Sequence, residues 1–166
     1  MHEPDHPSGA APTPEPAGAG RRLGLLELTR SECLALLAQT TFGRVVVSTA
    51  ASRTPIIRPV NYVFDGPSQS VVFRTVTGSK FHAIVHSANA CFEIDAIDPV
   101  RRSGWSVIIV GVTEEVTRPT EIQRLERLDL ESWIPHAKPH WIRIRAWTVS
   151  GRRVEAPGDD SMRISP

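Results

Sequence analysis

Lysine is nearly absent from this chain: among 19 lysines and arginines only Lys80 and Lys138 are lysine, and 18 acidic residues leave a net charge of +1. A balance this close to neutral gives no bulk attraction to nucleic acid, and the arginine pairs lack neighbouring base-stacking aromatics, so no nucleic-acid partner is expected. Cysteine is scarce. Cys33 and Cys91 show no metal or redox spacing, which excludes a disulfide scaffold and leaves both as small buried hydrophobes. No apolar run approaches the roughly 20 residues that cross a bilayer, so no membrane association is expected. Arg21-Arg22 precedes an apolar stretch that Glu27 ends too early for an export signal, and the expected location is cytoplasmic. Catalytic signatures are missing too. Ser106 has no Gly-x-Ser-x-Gly setting, no Glu follows His82 in His82-x-x-x-His86, and Pro139 interrupts His136-x-x-x-His140, so no metal site is expected.

What is present suffices for one domain with a core. Residues 1–24 are rich in Pro, Ala, Gly and acid without periodicity and are expected to form a disordered tail, as is the polar stretch 156–166; the ordered domain should span 25–155. Thr29-x-x-Glu32 is a capping box that opens a helix over 30–39. Apolar β-branched runs predict strands over 42–49, 55–64, 70–76, 90–97, 105–116 and 140–154, with Asp65-Gly66 as a turn and Pro59 at an edge or bulge. Pro119 starts a further helix that should continue to about residue 128. Glu93, Asp95, Glu114 and Glu115 read as exposed strand acids. Spacings this short do not admit parallel crossovers, so the fold is expected to be mainly β, six antiparallel strands closing into a barrel.

One segment carries chemistry. The run Val71-Val72-Phe73 ends in Arg74-Thr75, a turn holds Gly78, and Ser79-Lys80 opens a predicted helix over 80–87. A guanidinium, hydroxyls, an ammonium and the free N–H groups of a helix start would then surround one point, which suits a phosphate. The same residues also suit a plain helix cap with solvated charges. The order Gly-Ser-Lys is not that of a P-loop, which argues against an ATPase or GTPase. Arg101-Arg102 and Arg152-Arg153 fit either an anionic ligand tail, such as the second phosphate of a dinucleotide, or solvated loop charge.

The order of motifs resembles the pyridoxamine 5′-phosphate oxidase-like, FMN-binding split-barrel family, closest to its nitroimidazole-resistance and flavin-sequestering branch. The pieces are Phe42-Gly43-Arg44-Val45, Pro59-Val60-Asn61-Tyr62, Phe73-Arg74-Thr75 with Gly78-Ser79-Lys80, Gly104-Trp105-Ser106-Val107, and His140-Trp141-Ile142-Arg143-Ile144 with Gly151-Arg152-Arg153. The resemblance implies a six-stranded antiparallel split β-barrel and a homodimer with two flavin sites at its interface. It implies that Pro59, Val60, Asn61 and Tyr62 run beside the isoalloxazine ring, and that the phosphate lies by Arg74, Thr75, Gly78, Ser79 and Lys80. Trp105 and Ser106 match positions that reach the cofactor from the partner subunit, and Trp141 lines the site. Trp133 and Trp147 are assigned to core or dimer packing. The implied cofactor is FMN, with FAD or the deazaflavin F420 as alternatives. The implied function is an FMN-dependent oxidoreductase, with a non-catalytic flavin store or a deazaflavin-dependent reductase as alternatives. No counterpart of the true oxidase's substrate-phosphate motif is present, which argues against vitamin B6 oxidation.

Overall fold

The computed structural model describes residues 24–47, 54–76, 89–131 and 138–155. In order these form β1 (Leu25–Glu27), α1 (Arg30–Gln39), β2 (Phe42–Val47), β3 (Ile56–Asp65), β4 (Ser70–Thr75), β5 (Asn89–Asp98), β6 (Ser103–Val116), α2 (Pro119–Leu125), β7 (His140–Arg145) and β8 (Thr148–Val154). Every pairing is antiparallel. The ring β2-β3-β4-β7-β6-β5 closes on itself into a six-stranded barrel, and β8 and β1 extend the sheet from the outer flank of β6.

Closure depends on strands that change partner along their length. β3 pairs with β2 over Ile56–Asn61 and with β4 from Tyr62 to Asp65, so the switch falls between Asn61 and Tyr62. β6 pairs with β5 and β8 in its first part and with β7 from Thr113 onward. Gly111 sits just before that switch, where a Cβ would collide with the Arg145 carbonyl oxygen and lie 3.2 Å from Ile144 Cγ2. Only glycine lets β6 bend this close to β7.

The barrel interior is filled by the alternate residues of each strand: Val45, Val47, Tyr62, Val71, Phe73, Phe92, Ile94, Val107, Ile109, Ile142 and Ile144, all buried. α1 caps one end, with Cys33 and Leu37 facing the same core. Its start is the capping box read from the sequence: Thr29 N–H donates to Glu32 Oε2 (2.7 Å), and Glu32 N–H donates to Thr29 Oγ1 (3.3 Å). α2 covers the outer face of β4, β6 and β7, where Leu125 joins Val72, Val116 and Trp141 in a second cluster.

Three expectations need correction. The single strand over 140–154 is two strands, β7 and β8, broken at Ala146 and Trp147, where Trp147 N–H turns back to the Arg145 carbonyl (2.9 Å). The break lets the chain leave the β4–β7 side of the barrel and return along β6 from the other side. Trp147 is 64% exposed, which removes it from the core. The strand acids are not simple solvent groups: Arg44 bridges Glu93 (2.9 Å) and Asp95 (2.5 Å), Arg143 pairs with Glu114 and Glu121, and Glu115 Oε1 lies 2.6 Å from His140 Nδ1.

Candidate functional site

The site begins where β3 changes partner. Along Ile56–Val60 one edge of β3 is paired with β2, and among the described residues no strand pairs with its other edge. An open edge presents backbone N–H and C=O groups at fixed spacing, a ready hydrogen-bonding rim for a planar ligand. Pro59 tolerates this position because an edge strand can lose an N–H without breaking a ladder. Pro59 is exposed, Val60 and Asn61 are half-buried, and Asn61 Nδ2 is sealed from solvent.

Tyr62 belongs to the scaffold through its side chain. Its ring is buried edge-on against Phe92, centroids 4.7 Å apart, and its hydroxyl donates to the Leu37 carbonyl (2.9 Å) and touches the Thr40 hydroxyl. Burial pushes the phenol up to about 12. A hydroxyl held in this way is not available as a proton donor at neutral pH, so any ligand contact at Tyr62 falls to its backbone.

β4 carries the cationic part. Arg74 pairs in register with Trp141, its guanidinium lies 5.0 Å from the Trp141 ring centroid, and its Nε donates to the Lys138 carbonyl (2.6 Å). Stacking and one hydrogen bond fix the guanidinium plane, and among the described residues its two Nη groups carry no ion pair, so they can meet an anion. Arg74 follows Phe73, the partner of Tyr62, so Arg74 and Asn61 come one step beyond that rung on neighbouring strands. Thr75 pairs with His140 and is buried. Gly78, Ser79 and Lys80, together with His82, His86, Trp133 and His136, lie outside the described residues. Among the described residues no group of three metal-ligating side chains converges, and no helix is long and apolar enough to cross a membrane.

Trp105 and Ser106 stand elsewhere. Pro59 pairs with Arg44, Arg44 with Glu93, and Glu93 with Ile108, so β3 and β6 are three strands apart, or about 14 Å along the sheet. The two residues line a groove of about 520 Å³ at the β5–β6 hairpin, with Leu25, Ile97, Arg102, Arg152 and Val154 among its other walls. Within one chain the structure therefore brings Pro59, Val60, Asn61, Tyr62, Arg74, Thr75 and Trp141 to one end of the barrel and Trp105 and Ser106 to another flank. Sequence reasoning missed the Lys138 carbonyl that orients Arg74 and the Glu115–His140 pair beside Thr75. No local signal marks either, because both depend on how β7 registers with its neighbours.

The described residues thus form a six-stranded split barrel with an open strand edge beside a fixed guanidinium, and comparison with known proteins gives the class. Residues 29–153 match the family model described as pyridoxamine 5′-phosphate oxidase. The chain belongs to that family. An uncharacterized protein of Mycobacterium tuberculosis, Rv0080, is 40% identical over 138 residues, covering 80% of this chain and 87% of its own length. Among solved structures, the FAD binding protein from Mycobacterium smegmatis is 31% identical with a TM-score of 0.67, covering 78% of this chain and 98% of that one. A FAD-binding protein from Mesorhizobium loti, 23% identical with a TM-score of 0.63 over 79% of this chain and 99% of that one, supports the fold alone.

Proposed function

We propose that this protein binds a flavin nucleotide and uses it for electron transfer, in a site shared by two copies of the chain. The observation that carries the reading is the open edge of β3 next to Arg74. An isoalloxazine ring is flat, apolar on its faces and polar along one rim. The backbone of Pro59, Val60, Asn61 and Tyr62 would meet that rim, and Asn61 can donate and accept at once. Arg74 and Thr75, with Gly78, Ser79 and Lys80 following in sequence, would hold the phosphate of the FMN moiety. The flavin supplies the redox chemistry when bound, and the protein supplies position and electrostatics.

The separation of Trp105 and Ser106 from β3 supports a dimer in which these two residues close the site of the other copy. The exposed outer face of β2, β5 and β6 holds apolar Val110 and Ile108 beside the Arg44 bridge, a surface of the kind that pairs with a second copy. The flavin-binding relative from Mycobacterium smegmatis adds support to the ligand class.

A second reading, storage of flavin without turnover, rests on the engaged hydroxyl of Tyr62: no described side chain along the open edge is placed to deliver a proton. One experiment serves both. Apo protein is titrated with FMN, FAD and the deazaflavin F420, and the complex is then exposed to NADPH under anaerobic conditions. Saturable flavin binding with bleaching of the flavin band supports the oxidoreductase. Binding without bleaching by any donor supports storage, a preference for the deazaflavin supports the reductase, and no binding of any of the three removes the proposal.

A further inference from the structure

Resting on the flavin reading above, we propose that the ligand is a dinucleotide, with the adenylate arm of FAD seated in the β5–β6 hairpin groove and its second phosphate held by Arg102 and Arg152. The sequence leaves these two arginines fifty positions apart with two possible roles. The fold brings both to the wall of one groove of about 520 Å³, within the ~300–1,000 Å³ span of small-molecule sites.

Three observations converge there. First, the acidic groups lining the groove are already engaged. Glu93 and Asp95 are bridged by Arg44, and Asp98 accepts from the N–H groups of Val100 (3.0 Å) and Arg101 (2.9 Å) and pairs with the Arg101 guanidinium at 3.3 Å. Arg102 and Arg152 have no ion-pair partner among the described residues, and with Arg44 and Arg101 set against the three carboxylates the groove keeps one net positive charge. Two forked guanidiniums suit a phosphate.

Second, Arg102 holds φ at +52°, a left-handed backbone that glycine or asparagine adopts far more easily. A β-hairpin of this length would gain from glycine there. Keeping arginine in an unfavourable conformation is explained if the side chain has a task.

Third, the remaining walls suit a purine. Leu25, Ile97 and Val154 are exposed apolar residues on three different strands, all facing the groove with Trp105. Ser106, assigned to the flavin site of the other copy, pairs in register with Arg152. A flavin that reaches Trp105 and Ser106 from the β3 edge of the other copy would meet Arg152 directly across from Ser106.

The test compares FMN and FAD affinities, by flavin fluorescence, in the wild-type protein and in the double variant Arg102→Gly with Arg152→Ala. Arg102→Gly relieves the left-handed strain while removing the guanidinium, so thermal stability should hold or rise. The wild type is expected to bind FAD at least about 10-fold tighter than FMN, as one charge-assisted contact supplies. In the variant that preference should vanish through a weaker FAD complex, and Arg102→Lys with Arg152→Lys should restore part of it. Equal affinity for both flavins in the wild type overturns the dinucleotide assignment alone. An unchanged FAD preference in a stably folded variant overturns the role of the two arginines. Binding of neither flavin by the wild type overturns this assignment together with the flavin reading beneath it.

Discussion

Arg74 shows how the fold can fix a cation in advance of an anion. A free arginine loses considerable rotamer entropy when it binds an anion, but here the Trp141 ring and the Lys138 carbonyl hold it before any ligand arrives. Arg74→Ala should weaken flavin binding by about 1–3 kcal/mol, read by fluorescence titration; an unchanged affinity would remove the phosphate assignment. A second arginine has a purely structural role. Arg124 grips Asp65 with two hydrogen bonds of 2.7 Å, and the Asp65 side chain is fully buried while Arg124 remains 41% exposed. The Arg124 guanidinium, then the Ser68 hydroxyl, hold the Asp65 carboxyl below its usual range against the opposing effect of burial. A depressed carboxyl contributes stability above its unfolded value of about 3.9 and loses it as pH falls through the lower folded value. Arg124→Ala removes the largest effect opposing burial, so acid unfolding should begin at higher pH and neutral stability should drop by about 2 kcal/mol, less than for a fully buried pair because water reaches the arginine. Identical acid-unfolding midpoints in the two proteins would contradict this. Tyr62→Phe should cost about 1–2 kcal/mol in urea unfolding, because the Leu37 carbonyl loses its donor.

Elements explain which parts of the fold were legible. The capping box of α1 and the start of α2 at Pro119 are local chemistry, and both helices begin where the sequence places them. The β3–β4 hairpin is equally local, although the left-handed residue is Gln69, with φ +46°, rather than Gly66. The division of β7 from β8 is not local. Arg145-Ala146-Trp147 holds no glycine or proline, and the chain breaks there because β6 offers β7 and β8 different segments to pair with. β1 was invisible for a related reason: three residues carry too little alternation, and the strand exists because β8 templates it. Of the proposed site, Pro59 and Arg74 could be read because proline and an apolar run mark their strands, whereas the placement of Arg102 and Arg152 on one groove needed the β6–β8 pairing. Gly111 tests the partner switch of β6. Gly111→Ala should cost about 1–3 kcal/mol by overpacking against Arg145, while Gly66→Ala, which meets nothing within 4 Å, should cost little or nothing. Equal stability of both variants by urea denaturation would show that β6 does not depend on that close approach.

The described residues form a barrel in which the groups proposed to face the ligand are divided between two flanks. That division is intelligible if two chains associate so that the β5–β6 hairpin of each meets the β3 edge of the other. A dimer is therefore expected by light scattering at micromolar concentration, and a concentration-independent monomer would undo the shared site. The most direct measurement is a crystal structure of the protein with flavin bound. The ring should lie along Pro59, Val60, Asn61 and Tyr62 of one chain, with the phosphate beside Arg74 and Thr75 and with Trp105 and Ser106 supplied by the other. A flavin seated away from the β3 edge, with Arg74 still turned only to Trp141 and Lys138, would contradict the proposed site.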